Sequence, residues 1–246
     1  MKDDRSSIFK GLLDTFENED IKNFAEDCID TLPKYFYEVG ASSTGRYHPA
    51  YALGYLGLAR HTCALVRFLN HMLSIECIKD EFTSRERDLM RVAGIMHDSM
   101  KSGTDEDFEK SKYTKFDHPL LAANSIRKMS GLPVEEIELI ATAIESHMGQ
   151  WNSDKRSNVV LPKPENKYQK LVHLADYLAS RKDIEVLFDG TDAKPELPKL
   201  EDYIFPFGKH KGEKLVDVAE SDKGYISWAK NNMTKEPLKS LLEQLQ

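Results

Sequence analysis

The chain has few cysteines and no long apolar stretch. Its three cysteines, Cys28, Cys63 and Cys77, are odd in number and form no C-x-x-C pair, so neither a disulfide framework nor a zinc ribbon is expected. There is no apolar run of about 18 residues, and the opening MKDDRSSIFKGLLDTF lacks the apolar core of a signal segment. We therefore expect a cytoplasmic protein that neither enters a membrane nor is secreted.

An excess of positive charge is also missing. The 246 residues include 34 Lys and Arg against 41 Asp and Glu, which gives a net charge of −7. Nonspecific duplex binding needs clustered Lys and Arg, so this balance argues against it. It does not exclude a small nucleotide or a short strand that enters a locally positive, metal-filled cleft.

Changes in composition divide the chain into four segments. Residues 1–50 predict an N-terminal helical segment that leads into a polar loop, and residues 51–190 predict consecutive helices. Residues 191–202, rich in Pro, Lys and acidic residues, predict a linker, and residues 203–246 predict a small second module. The predicted fold is therefore mainly α, with a small α+β C-terminal module. A chain of this length can bury one substantial core and carry such a module.

Histidine and aspartate residues recur in the predicted helical domain in an order that suits metal binding. The most informative pair is His97-Asp98, because adjacent imidazole and carboxylate groups offer two types of donor from one short stretch of backbone. A lone His-Asp pair also occurs by chance, so its weight depends on the donors around it. These are His61 upstream, and His118, His147 and Asp176 downstream.

Local patterns predict where some of these donors lie. Thr83 and Glu86 have the spacing of a capping box, so a helix is expected to begin there and to end near His97. His147 shares the apolar face of its own predicted helix. Asp176 lies within an apolar pattern, where an isolated charge is costly and metal coordination is one way to compensate it.

Each donor also has a purely structural interpretation. A single histidine on an apolar face is more often a hydrogen-bonded core residue than a ligand. His118 precedes Pro119 and is compatible with a simple helix start. Asp176 can instead pair with Arg181 or Lys182. What favours metal binding is the joint occurrence of all six donors in one order.

That order, H…HD…H…H…D, resembles the ligand series of the HD superfamily of metal-dependent phosphohydrolases over roughly positions 48–185. The match includes the two additional histidines of the dinuclear branch. The resemblance implies two ions that share one ligand: the first held by His61, His97, Asp98 and Asp176, the second by Asp98, His118 and His147. Imidazole and carboxylate donors suit Mn²⁺, Fe²⁺, Co²⁺, Ni²⁺ or Zn²⁺. Two such ions share a hydroxide that attacks phosphorus, so no protein nucleophile is required.

A lysine completes the pattern HD-x-x-K. Lys101 places an ammonium one turn beyond Asp98, where a cation can neutralise the non-bridging oxygens of a phosphoryl group. The alternative is a solvated loop lysine. We also expect Arg46, His48 and Arg181 to contact the substrate, with a plain surface loop as the alternative for the stretch that carries Arg46 and His48.

The remaining histidines gain no support as metal ligands. We expect His71 and His173 at the surface or behind the ligands, and His210 lies in the C-terminal module.

The approach to the first metal histidine, HPAYALGYLGLARHT, resembles a subset of HD proteins that includes bacterial 3′-to-5′ exoribonucleases. In that subset a Gly-Gly-Leu segment precedes His-Thr, whereas this chain has Leu56-Gly57-Leu58. The sequence also lacks the N-terminal nucleic-acid-binding OB module of those enzymes. The resemblance therefore supports the catalytic domain more than an RNA substrate.

A second resemblance covers residues 203–235, which are similar to the small FGKHKG module at the C-terminus of exodeoxyribonuclease X and of other, often phage-associated, proteins. Gly208 and Gly212 predict a hairpin. A basic stretch near aromatic residues suits single-stranded nucleic acid. That stretch consists of Lys209, His210, Lys211 and Lys214. In the alternative interpretation the lysines are only solvated and the aromatic residues form the core of the module; these are Phe207, Tyr225 and Trp228.

These observations predict a metal-dependent phosphohydrolase, either a phosphodiesterase or a nucleotidase, that acts on a nucleotide or a short oligonucleotide. A phage-encoded protein in the cytoplasm of a bacterial host is one setting for it. Nucleoside 5′-monophosphates, nucleoside triphosphates, and cyclic or linear oligonucleotides are the alternative substrates, of which the second module favours oligonucleotides. The competing class is a binding protein that senses or sequesters a nucleotide without turnover.

Overall fold

Helices account for almost all regular structure in the part of the chain that the structure describes. The structure is a computed structural model and describes residues 4–42, 48–184, 198–233 and 237–245. The chain forms two compact units, Met1–Lys194 and Pro195–Gln246. The prediction of a mainly α fold is confirmed. None of the described helices is long and apolar enough to span a bilayer.

The first unit is built from α-helices joined by short turns and 3-10 helices. Its described α-helices are α1 (Lys10–Leu13), α2 (Glu19–Asp30), α3 (Gly57–Leu73), α4 (Glu76–Lys79), α5 (Ser84–Met96), α6 (Asp105–Lys110), α7 (His118–Ile126), α8 (Val134–Glu145) and α9 (Lys167–Ala179). The 3-10 helices are Asp4–Phe9, Lys34–Tyr37, Ala50–Ala52 and Gly149–Trp151.

Helix α5 lies at the centre of the first unit. It packs against α2, α3, α8 and α9, and every residue from Arg87 to Met96 is buried. The predicted capping box is confirmed: the Glu86 amide donates to Thr83 Oγ1 (3.2 Å), and the Thr83 amide donates to Glu86 Oε2 (2.7 Å). Because α5 ends at Met96, His97 and Asp98 follow directly in the core of the unit.

The segment before α3 is held tightly against the start of that helix. Leu56 adopts a left-handed conformation (φ 57°), which residues with a side chain rarely take. The buried Arg60 guanidinium donates to the carbonyl oxygens of Tyr51 and Leu53. A Cβ on Gly57 would lie 2.5 Å from the carbonyl oxygen of Ala52, so only glycine fits there.

The second unit has its own small core. It contains the 3-10 helix Leu200–Asp202 and helices α10 (Leu215–Ser221), α11 (Lys223–Asn232) and α12 (Leu238–Gln244). The predicted hairpin forms around Gly208 and Gly212 as a single antiparallel bridge between Ile204 and Lys214, the only β pairing in the described part of this unit. The buried side chains include Phe205, Leu215, Val218, Ala229, Leu238 and Leu241.

Candidate metal centre

The six candidate donors meet inside the first unit. His61 lies on α3, His97 and Asp98 at the end of α5, His118 at the first position of α7, His147 just after α8, and Asp176 on α9. The first five are buried, whereas the Asp176 side chain is 20% exposed. The donor atoms form two close groups that share Asp98: His61, His97 and Asp98, and Asp98, His118 and His147.

The two carboxylate oxygens of Asp98 face different pairs of histidines. Oδ2 lies 3.4 Å from His97 Nε2 and 4.0 Å from His61 Nε2. Oδ1 lies 2.9 Å from His118 Nε2 and 3.7 Å from His147 Nε2. A carboxylate arranged in this way can give one oxygen to each of two adjacent ions.

Asp176 lies beside the first of the two groups. Its Oδ1 lies 3.0 Å from His61 Nε2 and 3.7 Å from His97 Nε2. Among the described residues the ion-pair partners of Asp176 are these two histidines, and the Arg181 guanidinium lies over the Tyr177 ring instead.

Three of the histidines are oriented by the backbone. The Nδ1 atoms of His97, His118 and His147 lie 2.8, 2.6 and 2.8 Å from carbonyl oxygens three residues earlier in the chain. These carbonyls belong to Gly94, Lys115 and Ile144. Since a carbonyl only accepts, each Nδ1 carries a proton, and in the neutral imidazole Nε2 then presents its lone pair to the centre.

Several of the facing atoms have no hydrogen-bond partner within the described residues. They include His97 Nε2, His118 Nε2 and Asp98 Oδ1, all buried. Buried polar atoms are normally satisfied, and divalent ions would satisfy this set. The imidazole and carboxylate donors also fit a transition metal ion.

The charges in the cluster keep both carboxylates ionised and His147 neutral, whereas His97 differs: burial opposes its protonation, but Asp98 outweighs burial and raises the pKa of its imidazole. Burial opposes ionisation of Asp98, but Lys101 and His97 outweigh it and hold the pKa of this carboxyl well below its ordinary value. Burial similarly opposes ionisation of Asp176, yet the hydrogen bond from His61 lowers its pKa. Burial, with a smaller contribution from His97, lowers the pKa of His147 to about 3, so its imidazole is neutral near pH 7.

Lys101 lies where the HD-x-x-K pattern places it. Its Nζ donates to Asp98 Oδ2, the oxygen that faces His61 and His97. The side chain is largely buried and is therefore not a solvated loop lysine.

Of the three predicted substrate contacts, two lie within the described residues. The ring of His48 packs edge-on against His61 at 5.1 Å, and its buried Nδ1 has no partner in the described part of the chain. The Arg181 guanidinium lies over the Tyr177 ring, 4.4 Å from the centroid, and donates to Ser180 Oγ. Arg46 lies outside the described residues.

The other histidines are placed as follows. His71 is exposed. His173 lies behind the ligands, where its Nδ1 is 2.7 Å from the backbone carbonyl oxygen of His147. His210 is buried in the second unit between Glu213 and Asp222, with nitrogen to oxygen distances of 3.1 Å to both.

A cleft next to Lys101 was not predicted. It has a volume of about 620 Å³, and its lining includes Lys101, Phe108, Lys110, Lys112 and Tyr113. We call it the lysine cleft. The run Lys110-Ser111-Lys112-Tyr113 was the only sign of it in the sequence, and a basic run of this kind is usually just a solvated loop.

The basic stretch of the second unit differs from the prediction. Lys209 Nζ pairs with Asp222 Oδ2 (2.7 Å), and the buried His210 belongs to the same cluster, so the expectation of a four-residue basic surface is wrong. Lys211 and Lys214 have no ion pair within the described residues and remain exposed. Of the three aromatic residues in the core interpretation, Phe207 and Trp228 are not core residues, because they are 47% and 50% exposed, whereas Tyr225 packs against the core of the unit.

Residues 59–181, half of the chain, match the HD domain family. The chain belongs to the HD domain family. All six candidate donors lie within the matched range. Residues 205–233 match the family described as Exodeoxyribonuclease X-like C-terminal. No curated protein and no solved structure matches the chain. HD domains are generally metal-dependent hydrolases, and the buried His and Asp groups fit divalent metal binding.

Proposed function

We propose that this HD-domain protein is a phosphohydrolase that cleaves a phosphoester of a nucleotide or a short oligonucleotide with two divalent ions. The observation that carries the proposal is the geometry of Asp98, whose two oxygens face two separate pairs of histidines. In this proposal His61, His97 and Asp176 complete the first ion site, and His118 and His147 complete the second. Ions such as Mn²⁺ or Fe²⁺, when bound, supply an activated water and neutralise charge on the phosphoryl oxygens.

The protein residues then orient the substrate and stabilise charge. The ammonium of Lys101 lies beside Asp98 and is available to a non-bridging phosphoryl oxygen near the same place. His48, packed against His61, is neutral near pH 7 because burial, with His61, lowers its pKa to about 3. It can therefore serve as a hydrogen-bond partner to the substrate without adding charge. No serine or cysteine nucleophile is needed.

The second unit supplies a further part of the proposal, a surface for single-stranded nucleic acid. The half-exposed rings of Phe207 and Trp228 can stack on bases, and the exposed Lys211 and Lys214 can contact phosphates. The exodeoxyribonuclease X-like match supports this assignment.

The proposal is tested by metal analysis of the purified protein followed by a hydrolysis screen. The screen includes nucleoside monophosphates, nucleoside triphosphates, cyclic nucleotides and short single-stranded oligonucleotides, each with Mn²⁺, Fe²⁺, Co²⁺, Ni²⁺ or Zn²⁺. Turnover that requires metal and disappears in Asp98→Ala, but not in the exposed control Asp80→Ala, supports it. Tight, stoichiometric nucleotide binding without turnover under every metal would support the nucleotide-sensing alternative instead.

A further inference from the structure

The lysine cleft is connected to the metal centre through its backbone. The Lys115 amide donates to the carbonyl oxygen of Lys101 (2.8 Å), and the carbonyl oxygen of Lys115 accepts from His118 Nδ1 (2.6 Å). Asp107 on α6 pairs with the Lys115 ammonium at 3.0 Å. The loop that follows Lys110 is therefore held between Lys101 and a candidate metal ligand.

The lining of the cleft is positively charged. It includes Lys101, Lys110 and Lys112 but no aspartate or glutamate. Lys110 and Lys112 are exposed and have no carboxylate partner within the described segments. Lys101 is paired with Asp98, but Lys110 and Lys112 share the cleft without a compensating acid and repel one another, and an anionic ligand removes that repulsion.

Aromatic side chains line the same cleft. Phe108 stacks on Tyr35, with ring centroids 4.7 Å apart and an interplanar angle of 21°. Tyr35 is itself fixed, because its hydroxyl donates to the Gly103 carbonyl oxygen (2.8 Å) and accepts from the Ser102 amide (3.0 Å). Tyr113 is 75% exposed and offers a free ring face. Rings beside lysines bind the bases and phosphates of a nucleic acid strand together.

We propose that the lysine cleft binds a single-stranded oligonucleotide next to its scissile phosphate, which defines the substrate class. This inference rests on the proposed function. Lys101, beside Asp98, is placed to contact the scissile phosphate, while Lys110 and Lys112 contact neighbouring phosphates and Tyr113 stacks on a base. A nucleoside monophosphate would leave Lys110 and Lys112 without an anion. Lysines and aromatic rings both line this cleft. Such a lining suits the alternating bases and phosphates of a strand better than the contiguous phosphates of a triphosphate.

The experiment measures binding of a short fluorescein-labelled oligothymidylate by anisotropy to the full chain in EDTA, where turnover cannot occur. The double variant Lys110→Ala with Lys112→Ala should bind about tenfold more weakly, and the slope of log affinity against log salt should fall by about two. Tyr113→Ala should also bind about tenfold more weakly but with an unchanged slope. The matched control is Lys128→Ala with Lys170→Ala, two exposed lysines outside the cleft, which should bind as wild type does.

The outcomes separate this inference from the proposed function. If the cleft variant keeps the affinity and salt slope of the control, the inference is wrong. If it loses affinity for a nucleoside triphosphate but not for oligothymidylate, the cleft binds polyphosphate and the inference is again overturned. If the cleft variants lose strand binding while wild type hydrolyses nothing, the cleft assignment stands and the hydrolase proposal fails. Thermal melting of each variant by circular dichroism checks that all fold.

Discussion

The Nδ1 atom of His118 lies 2.6 Å from the backbone carbonyl oxygen of Lys115. His97 and His147 make the same contact with carbonyls three residues earlier, so the backbone sets the tautomer of three of the four clustered histidines. Each of these rings therefore presents Nε2 to Asp98.

Asp98 is the residue on which both proposed ion sites depend. Asp98→Ala should abolish hydrolysis and remove both ions, because each ion loses an oxygen ligand. His118→Ala or His147→Ala should weaken mainly the second ion and leave about one metal per chain. Inductively coupled plasma mass spectrometry after Mn²⁺ loading measures the occupancy, with Asp80→Ala as the control. Wild-type protein that holds less than one ion per chain at saturation would contradict the dinuclear arrangement.

Lys101 should separate catalysis from metal binding. Its ammonium contacts Asp98 but is not a metal donor, so Lys101→Ala should keep its metal content. The catalytic rate should fall by about 10²-fold or more, as for removal of one electrostatic contact to a transition state. Steady-state kinetics and metal analysis of the same preparation test this, with Lys128→Ala as the matched control. An unchanged rate would remove Lys101 from the mechanism.

His48 should make the stability of the metal-free protein depend on pH. Burial, and then the neighbouring His61, lower its pKa from 6.5 to about 3. The unfolded chain therefore binds a proton that the folded chain does not bind until about pH 3, so stability falls as pH decreases through this window. His48→Gln should reduce the slope by up to about 1.4 kcal/mol per pH unit.

Urea unfolding in EDTA at several pH values measures this slope. The exposed His71 provides the control, because His71→Gln should leave the pH dependence as it is in wild type. Equal slopes for His48→Gln and wild type would show that folding leaves the pKa of His48 near its ordinary value.

Gly57 should tolerate no side chain. A Cβ there would lie 2.5 Å from the Ala52 carbonyl oxygen and 2.9 Å from Gly40 Cα, and backbone atoms cannot move aside as a flexible side chain can. Gly57→Ala should therefore cost about 1–3 kcal/mol of unfolding free energy. Gly11→Ala is the matched control, since nothing lies within 4 Å of a Cβ at that helical position. Chemical denaturation compares the two, and equal stabilities would contradict the packing described for this segment.

Trp228 should contribute to binding rather than to folding. Because its ring is half exposed, Trp228→Ala should change the melting temperature little but weaken binding of labelled oligothymidylate. Leu241→Ala, in the core of the same unit, should cost about 2–5 kcal/mol instead. Ile75→Ala, a similarly exposed apolar residue of the first unit, should affect neither measurement. A large loss of stability in Trp228→Ala would reassign this ring to a structural role.

The sequence predicted those features that depend on local pattern. The capping box at Thr83 and Glu86 depends only on two residues that are three apart in the sequence. The order of the six donors along the chain identified them as one candidate metal site, even though they come from distant parts of the sequence. The lysine cleft was missed because it depends on the Lys115 backbone bonding to Lys101 and His118. The burial of His210 was missed for a similar reason: its partner Asp222 lies 12 residues later in the chain, just before α11.

The six candidate donors come from five different helical segments, and only His97 and Asp98 are close to each other in sequence. A preformed centre therefore exists only when α3, α5, α7, α8 and α9 are assembled, and any ion that binds there stabilises the folded state. The ion content of a purified variant consequently reports on the folding of the first unit as much as on its ligands. In a cell with little available metal, the same linkage would make the lifetime of this protein depend on its supply of ions.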